Sequence, residues 1–411
     1  MSATWKKISD RLETYTDELV ALQSDLVACP ALGPDNNGPG EEAKAALLES
    51  WLEKIRPDRV FRIDAPDNRV PSGRRPNLVA MFNGTGSGRV WVLSHLDIVP
   101  PGEYALWHSA PFILRREGDR LYGRGVEDNH QGIVSSCLAV KALRDEGITP
   151  VPSVGLIFVA DEETGSAYGL RHILTVRPDL FSPQDLIIVP DSGKENGAMI
   201  EIAEKSLFWL KFKVTGRQCH ASRPNDGINT LRAASRMIVA LDETLPKSFP
   251  LKDPLFTIPS STFEPTRKDA NVPNINTIPG EDVFYFDCRV LPNYSLSAVQ
   301  DEVKHIVQAV AETTGVTVTV EPVQSVQAPP ATSPESPVVQ ALTRAIQTVH
   351  GRTAVPMGIG GGTVAAFFRE HDLPAVVWST ILDNAHTPNE VALISNHLAD
   401  AKILAHIFLD M

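Results

Sequence analysis

Four short apolar runs constrain this chain more than any other feature: RVWVLS (89–94), SVGLIFVA (153–160), DLIIVP (185–190) and PAVVWST (374–380). They are rich in Val and Ile and alternate with longer helical patterns, which marks an α/β sheet whose strands are covered on both faces. Between the first two, NHQGIVSSCLAVKALRDEG (129–147) places Ile133, Cys137, Val140 and Leu143 on one helical stripe and closes at Gly147. Near the N-terminus, Leu12, Tyr15, Leu19, Leu22 and Leu26 recur at amphipathic spacing, so a helix is expected there rather than an apolar signal segment.

Nearly every run ends in ionisable groups. The first delivers His95 and Asp97, the second Asp161, Glu162 and Glu163, and the third Asp191. Asp128 precedes the helix at 129–147, and His386 follows the fourth run in ILDNAHTPNE. Taken singly, each has an ordinary explanation: Asp128 could cap a helix, Asp191 before Ser-Gly could sit in a turn, and Glu162 or Glu163 could be surface charge. Taken together they need another, because ligands of open α/β sheets bind beyond the carboxyl ends of the strands, where these residues would converge. Several unpaired carboxylates in one place are costly, and a bound cation is the usual remedy.

The donor set narrows the ion. Imidazole and carboxylate without thiolate suit Zn2+, with Co2+ or Mn2+ as substitutes. Two ions fit better than one: Asp128, Glu163 and Asp191 together with a hydroxide balance two divalent charges, and neutral His95 and His386 complete the ligands. On an extended strand, residues i and i+2 face the same way, which places Asp97 to accept the second ring N–H of His95. Adjacent Glu162 and Glu163 point apart, so one can ligate while the other handles a proton.

The segment from about 207 to 320 has a different texture. Alternating strand patterns in SLFWLKFKVTG (206–216), DVFYFDCRVLP (282–292) and VTVTVEPV (316–323) are separated by helical stretches at 227–245 and 297–315. This order predicts a small α+β module inserted in a larger domain, with the Pro-rich APPATSPESP (328–337) marking the return. The expected division is a catalytic, metal-binding domain at 1–206 and 322–411 and an inserted domain at 207–321. A net charge of −12 without a Lys/Arg-rich block argues against nucleic acid or an anionic membrane surface as partner. No run approaches the roughly 20 apolar residues of a membrane span. Cys29, Cys137, Cys219 and Cys288 are widely spaced, without a CxxC pair, which fits a reducing compartment and hence the cytoplasm.

With these residues in place, the chain resembles the M20 family of zinc-dependent amidohydrolases and peptidases, which includes acetylornithine deacetylase, succinyl-diaminopimelate desuccinylase, glutamate carboxypeptidase and several dipeptidases. The matching motifs are SHLDIVP, LYGRGVEDNHQG, VADEETGS, VPDSG, CHASRPNDGINTL, NVPNINTIPGEDVFYFDCRV, GIGGGT and AHTPNE, in family order over about 85–390. The resemblance implies an α/β, mixed-sheet, dinuclear-zinc catalytic domain with an inserted α+β lid and dimerisation domain. It implies His95 and Asp191 on one ion, Glu163 and His386 on the other, Asp128 bridging them, and Glu162 as general base. His220 matches a residue that reaches across a dimer to help stabilise the oxyanion. Asn276 and Arg289 match positions that hold a substrate carboxylate, and Gly361, Gly362 and Thr363 match a loop along the substrate.

The implied protein is a homodimer that hydrolyses the amide bond of a small N-acyl amino acid, of the deacetylase or desuccinylase type, with a metal-held hydroxide. The alternatives are a dipeptidase or aminopeptidase, and a non-catalytic homologue that keeps the fold. Ser94 stands where the family usually has Gly, and His130 and Gln131 stand where it usually has Lys and Gly. None is a ligand, but they lie at the cleft rim and leave the substrate open.

Overall fold

The computed structural model describes residues 3–409, so residues 1, 2, 410 and 411 of the larger expected domain lie outside the described residues. The chain divides into two compact units. One comprises the chain up to Ile202, Thr332–Pro356 and the chain from Thr363 onward; the other comprises Ala203–Ala331 with Met357–Gly362. The second unit extends beyond 207–321 at both ends and takes in a short segment distant in sequence.

In the first unit the four apolar runs become four adjacent parallel strands, in the order Ser153–Val159, Arg89–His95, Leu186–Gly193 and Ala375–Ser379. They form the centre of an eight-stranded mixed sheet. Leu78–Phe82 and Arg59–Arg62 continue one edge antiparallel; Met199–Glu204, antiparallel to Ala375–Ser379, and then Val355–Ile359 continue the other. Parallel neighbours bring their carboxyl ends to one edge, and that edge carries the polar residues.

The helix His130–Asp145 packs on three of these strands and on the C-terminal helix Ile394–Leu409. It is therefore buried nearly all round rather than along the single stripe expected from its spacing, and His130 and Gln131, expected at a cleft rim, are 0% and 1% exposed in it, as is Ser94 at 1% in the strand beside it. Trp91, Leu93, Ile157 and Ile187 pack with Ile173, Phe181 and Phe368, each such buried side chain contributing about 2 kcal/mol. Gly155 makes room for this layer: a Cβ there would come within 2.1 Å of the Trp91 ring.

The expected N-terminal helix is two helices, Ala3–Glu13 and Thr16–Val27. Between them the Thr14 and Tyr15 N–H groups bond to the carbonyls three residues back, and the Tyr15 hydroxyl donates to Asp145 at 2.7 Å. The break is hidden in the sequence because Leu12, Tyr15, Leu19, Leu22 and Leu26 stay buried across it. Among the described residues no helix is long and apolar enough to cross a membrane, and the four cysteines are free.

The second unit is a four-stranded antiparallel sheet in the order Thr262–Lys268, Glu281–Val290, Ser206–Thr215 and Thr317–Val326. The helices Thr230–Ser248 and Leu296–Thr314 pack on it over Phe208, Phe212, Phe284 and Phe286, with the Phe212 and Phe284 rings stacked at 4.6 Å. Alternating burial along Ser206–Thr215 and Glu281–Val290 follows the sequence pattern. Thr262–Lys268 does not appear among the expected strands. It is a mostly exposed edge strand, and its pairing shifts register between Pro265 and Arg267 because proline offers no N–H to the ladder.

Candidate metal centre

His95 ends its strand and is 2% exposed. Its ring Nδ1 lies 2.9 Å from the Asp97 carbonyl oxygen and 3.6 Å from Asp97 Oδ1. That leaves Nε2 facing two carboxylates, Asp128 Oδ1 at 2.9 Å and Asp191 Oδ1 at 3.3 Å. The spacing of the sequence expects the Asp97 carboxylate to take the ring N–H; the closer partner is its backbone carbonyl. The carboxylate instead caps the short 3-10 turn Glu162–Thr164, accepting the Glu162 N–H at 3.0 Å and the Glu163 N–H at 3.1 Å. Two N–H groups without partners inside the turn make a strong anchor for an anion, so Asp97 positions both glutamates as well as the imidazole.

Asp191 lies within the strand Leu186–Gly193 rather than in a turn after it. Its stretch of strand is bulged: Val189 pairs with Val377 and Gly193 with Ser379, so three residues on one side span the single residue Trp378 on the other. Gly193 permits this close approach, since a Cβ there would meet the Ser379 carbonyl oxygen. The Asn129 amide holds the bulge by donating to the Pro190 carbonyl at 2.6 Å and to Asp191 Oδ1 at 2.7 Å. Asn129 follows Asp128 through a cis peptide bond.

The two glutamates fall into different groups. Ligand atoms of His95, Glu162 and Asp191 lie within 4.8 Å of one another, and so do those of His95, Asp128 and Glu163. His386 Nε2 joins the second group, 3.1 Å from Asp128 Oδ2 and 3.1 Å from Glu163 Oε2. Asp128 therefore presents one oxygen to His95 and the other to His386.

Four carboxylates meet two imidazoles here, and among the described residues no lysine or arginine forms an ion pair with any of the four. Burial opposes a charge on His95, yet Asp191 and Asp128 outweigh it and hold its pKa well above the usual histidine value. Hydrogen bonds to Asp128 and Glu163 push His386 up to about 10. Against the effect of burial, His386 and His95 hold Asp128 well below the usual carboxylate range. Burial and then the neighbouring Asp191 raise Glu162 well above the usual value, and burial raises Glu163. The cluster thus draws positive charge from wherever it is offered. Nitrogen and oxygen donors without thiolate, grouped in two sets, fit divalent cations of the zinc class.

The other expected residues have different settings. In the second unit His220 is exposed; its Nδ1 accepts the Ser222 N–H at 3.1 Å and lies 2.8 Å from the Ser222 hydroxyl. Asn276 is exposed too, and its carbonyl accepts the Ala221 N–H at 2.8 Å. Arg289 is already paired: Nε and Nη2 hold the Asp287 carboxylate at 2.7 and 2.9 Å, and Nη1 donates to the Gly360 carbonyl at 2.9 Å. Gly361 and Gly362 continue that segment. Thr363 lies in the first unit, where its carbonyl accepts the Ala366 N–H.

Sequence reasoning missed four residues that build the centre: Asn129, Glu127, Asn384 and Glu390. The buried Glu390 carboxylate accepts N–H groups of Gly125, Glu127 and Asp128 at 2.9, 2.9 and 3.1 Å and is paired with Arg124 at 2.8 Å. The Glu127 carboxylate accepts the N–H groups of Leu382 and Asn384 at 2.6 and 2.9 Å, while burial pushes its pKa up to about 7. The signal available was position: each flanks a ligand inside LYGRGVEDNHQG or ILDNAHTPNE.

Residues 91–410 match the model of peptidase family M20/M25/M40. The chain belongs to this family. It is therefore a metal-dependent hydrolase acting on amide bonds. An uncharacterized metallohydrolase of Methanococcus maripaludis is 37% identical, over 97% of this chain and 100% of its own length. A succinyl-diaminopimelate desuccinylase of Dinoroseobacter shibae is 26% identical, over 92% and 94% of the two chains. The crystal structure of aminopeptidase PepT from Bacillus cereus has the same fold as this M20 chain, with a TM-score of 0.75 at 20% identity over 96% of this chain and 98% of that one.

Proposed function

We propose that this M20 hydrolase removes the acyl group from a small N-acyl amino acid, in the manner of a deacetylase or desuccinylase. The observation that supports the metal-dependent part of this reading is the convergence of four carboxylates and two imidazoles, in two groups sharing His95, with no lysine or arginine among the described residues paired to them. His95 and Asp191 would hold one ion, Glu163 and His386 the other, and Asp128, turned towards both histidines, would bridge. Zn2+ is the favoured ion, with Co2+ or Mn2+ as substitutes.

When bound, such a pair of ions activates a water at neutral pH and polarises the amide carbonyl. Glu162 would serve as the general base, accepting a proton as water adds to the amide carbonyl and returning it to the leaving amine. Asp97 fixes the turn from which Glu162 works and the ring orientation of His95. His220 is assigned to the developing oxyanion, from a partner subunit in a homodimer. Arg289 and Asn276 are assigned to the substrate carboxylate, and Gly361, Gly362 and Thr363 to a loop along the substrate. The desuccinylase relative supports the acyl assignment, and the four free cysteines support a cytoplasmic setting.

Elemental analysis of purified protein tests the reading when combined with hydrolysis of N-acetyl amino acids, N-succinyl amino acids and unblocked dipeptides before and after chelation. The expected result is about two metal equivalents and chelator-sensitive cleavage of an N-acyl substrate. Faster cleavage of unblocked dipeptides would replace the deacylase reading with a dipeptidase or aminopeptidase. Protein that holds no metal, and regains no activity with Zn2+, Mn2+ or Co2+, would overturn the two-ion centre.

A further inference from the structure

His386 is the most exposed of the proposed ligands, with 55% of its side chain accessible, and its backbone is left-handed. It sits in a loop where Asp383, His386 and Asn389 all have left-handed φ, at 62°, 64° and 61°. None is glycine, so each is held in a region that side chains disfavour. Among the described residues, the loop's own backbone offers the Thr387 N–H to the Asn384 carbonyl as its internal bond. Something else must hold this loop where His386 meets Asp128 and Glu163.

The hydrogen bonds identify two holds: past His386, Asn389 accepts the His108 N–H at 2.7 Å and donates to the Leu106 carbonyl at 2.8 Å, and ahead of His386 the hold is Glu127. Glu127 is 3% exposed and immediately precedes Asp128. Its Oε2 accepts the Leu382 N–H at 2.6 Å, and its Oε1 accepts the Asn384 N–H at 2.9 Å and the Asn384 side-chain amide at 3.0 Å. Asn384 is clamped in turn to Val391 by bonds of 2.7 and 2.8 Å. Glu390 works in the opposite direction. It follows His386 by four residues, and its carboxylate holds the backbone N–H groups leading into Asp128. The segment bearing Asp128 thus grips the loop bearing His386, and the segment after His386 grips the turn bearing Asp128.

We infer that Glu127 and Glu390 are positioning residues forming a reciprocal clasp, which fixes the spacing between Asp128 and His386 and thereby sets the affinity of the ion that His386 serves. The inference rests on the ligand assignment proposed above. Glu390 is neutralised by Arg124, whereas Glu127 has no basic partner among the described residues. Glu127 therefore acts through its acceptor oxygens, and Glu127→Gln, which keeps the shape but turns one acceptor into a donor, is the informative change.

Metal-free wild type, Glu127→Gln, Asn384→Ala and His386→Ala would be titrated with Co2+, read by calorimetry and by visible absorption of the bound ion. Wild type should take up two equivalents. Glu127→Gln should weaken one of them about 10- to 100-fold, the usual effect of losing an outer partner of a ligand, and leave the other near its wild-type affinity. Asn384→Ala, which leaves Glu127 intact and removes one of its donors, should weaken the same ion by a smaller factor, and His386→Ala should abolish it. Two wild-type affinities in both Glu127→Gln and Asn384→Ala would overturn the clasp, as would equal weakening of both ions. If His386→Ala keeps both ions at wild-type affinity, the ligand assignment itself fails, whatever Glu127→Gln shows.

Discussion

The two units hold their candidate residues in opposite ways. In the first, His95, Asp128, Glu162, Glu163 and Asp191 lean on one another and leave an excess of negative charge that no lysine or arginine of the described chain cancels. In the second, His220 is met by Ser222, and Arg289 has settled with Asp287 and the Gly360 carbonyl. A locally satisfied group costs little to expose, and it meets a substrate only by exchanging a partner it already has. An unsatisfied buried cluster costs stability unless a cation completes it. The difference separates a cluster that a cation would complete from side chains that already have partners of their own.

The sharpest way to break this contrast is at Glu162, which lies in the charged cluster yet is assigned no ion. Glu162→Gln should lower kcat by roughly a thousandfold, within the usual range for removing a general base, while metal content stays at the wild-type value. Elemental analysis beside steady-state kinetics would check it. If metal is lost along with turnover, Glu162 is a ligand and the proton carrier must be sought elsewhere.

A smaller effect is expected in the second unit. Arg289→Lys removes the forked donor geometry that suits a carboxylate, so KM for substrates with a free α-carboxylate should rise about tenfold with kcat nearly unchanged, the mark of lost uniform binding. Substrates whose carboxylate is capped as an amide should show no change. If kcat falls as steeply as in Glu162→Gln, the two units do not differ as described.

Much of this arrangement was legible in the sequence, and what was not has a common cause. The apolar runs announced the central parallel strands because covered strands must be apolar throughout, and residues stranded at their ends announced the centre. His386, Asp128 and Glu163 could be proposed as ligands without coordinates because ion chemistry restricts ligand types and the family resemblance chose Glu163 over Glu162, and the structure brings the three together. Glu127 and Glu390 could not. Their role depends on which N–H groups lie within 3 Å or so of a carboxylate, and nothing in the spacing of 127 and 384 makes them neighbours. The edge strand Thr262–Lys268 escaped for a related reason: its exposed, proline-interrupted sequence carries no alternation, and pairing with Glu281–Val290 alone defines it. The expected Asp97 contact misassigned the atoms because spacing gives the face of a residue, not which of its oxygens is taken first.

Burial alone does not distinguish the charged cluster, and His397 isolates that point. It is fully buried in the first unit; its Nδ1 donates to the Leu393 carbonyl at 2.7 Å, so its Nε2 accepts the Gln23 amide at 2.7 Å. Burial lowers its pKa to about 4, whereas in the unfolded chain it titrates near 6.5. Below about pH 6.5 the unfolded state therefore takes up a proton that the folded state refuses, and stability is lost as pH falls towards 4, by about 2 kcal/mol at pH 5. His397→Gln removes that proton uptake. Chemical denaturation at pH 7 and pH 5 should show the variant less stable at pH 7, by about 1 kcal/mol for an imperfect replacement of the buried bonds, yet losing less stability on acidification than wild type. Its turnover at pH 7 should stay near wild type, because the neutral His397 has no charge to contribute to the cluster. If stability falls equally with pH in both proteins, His397 is not held neutral by burial. If turnover collapses at pH 7, the boundary drawn between buried structural groups and the charged centre is in the wrong place.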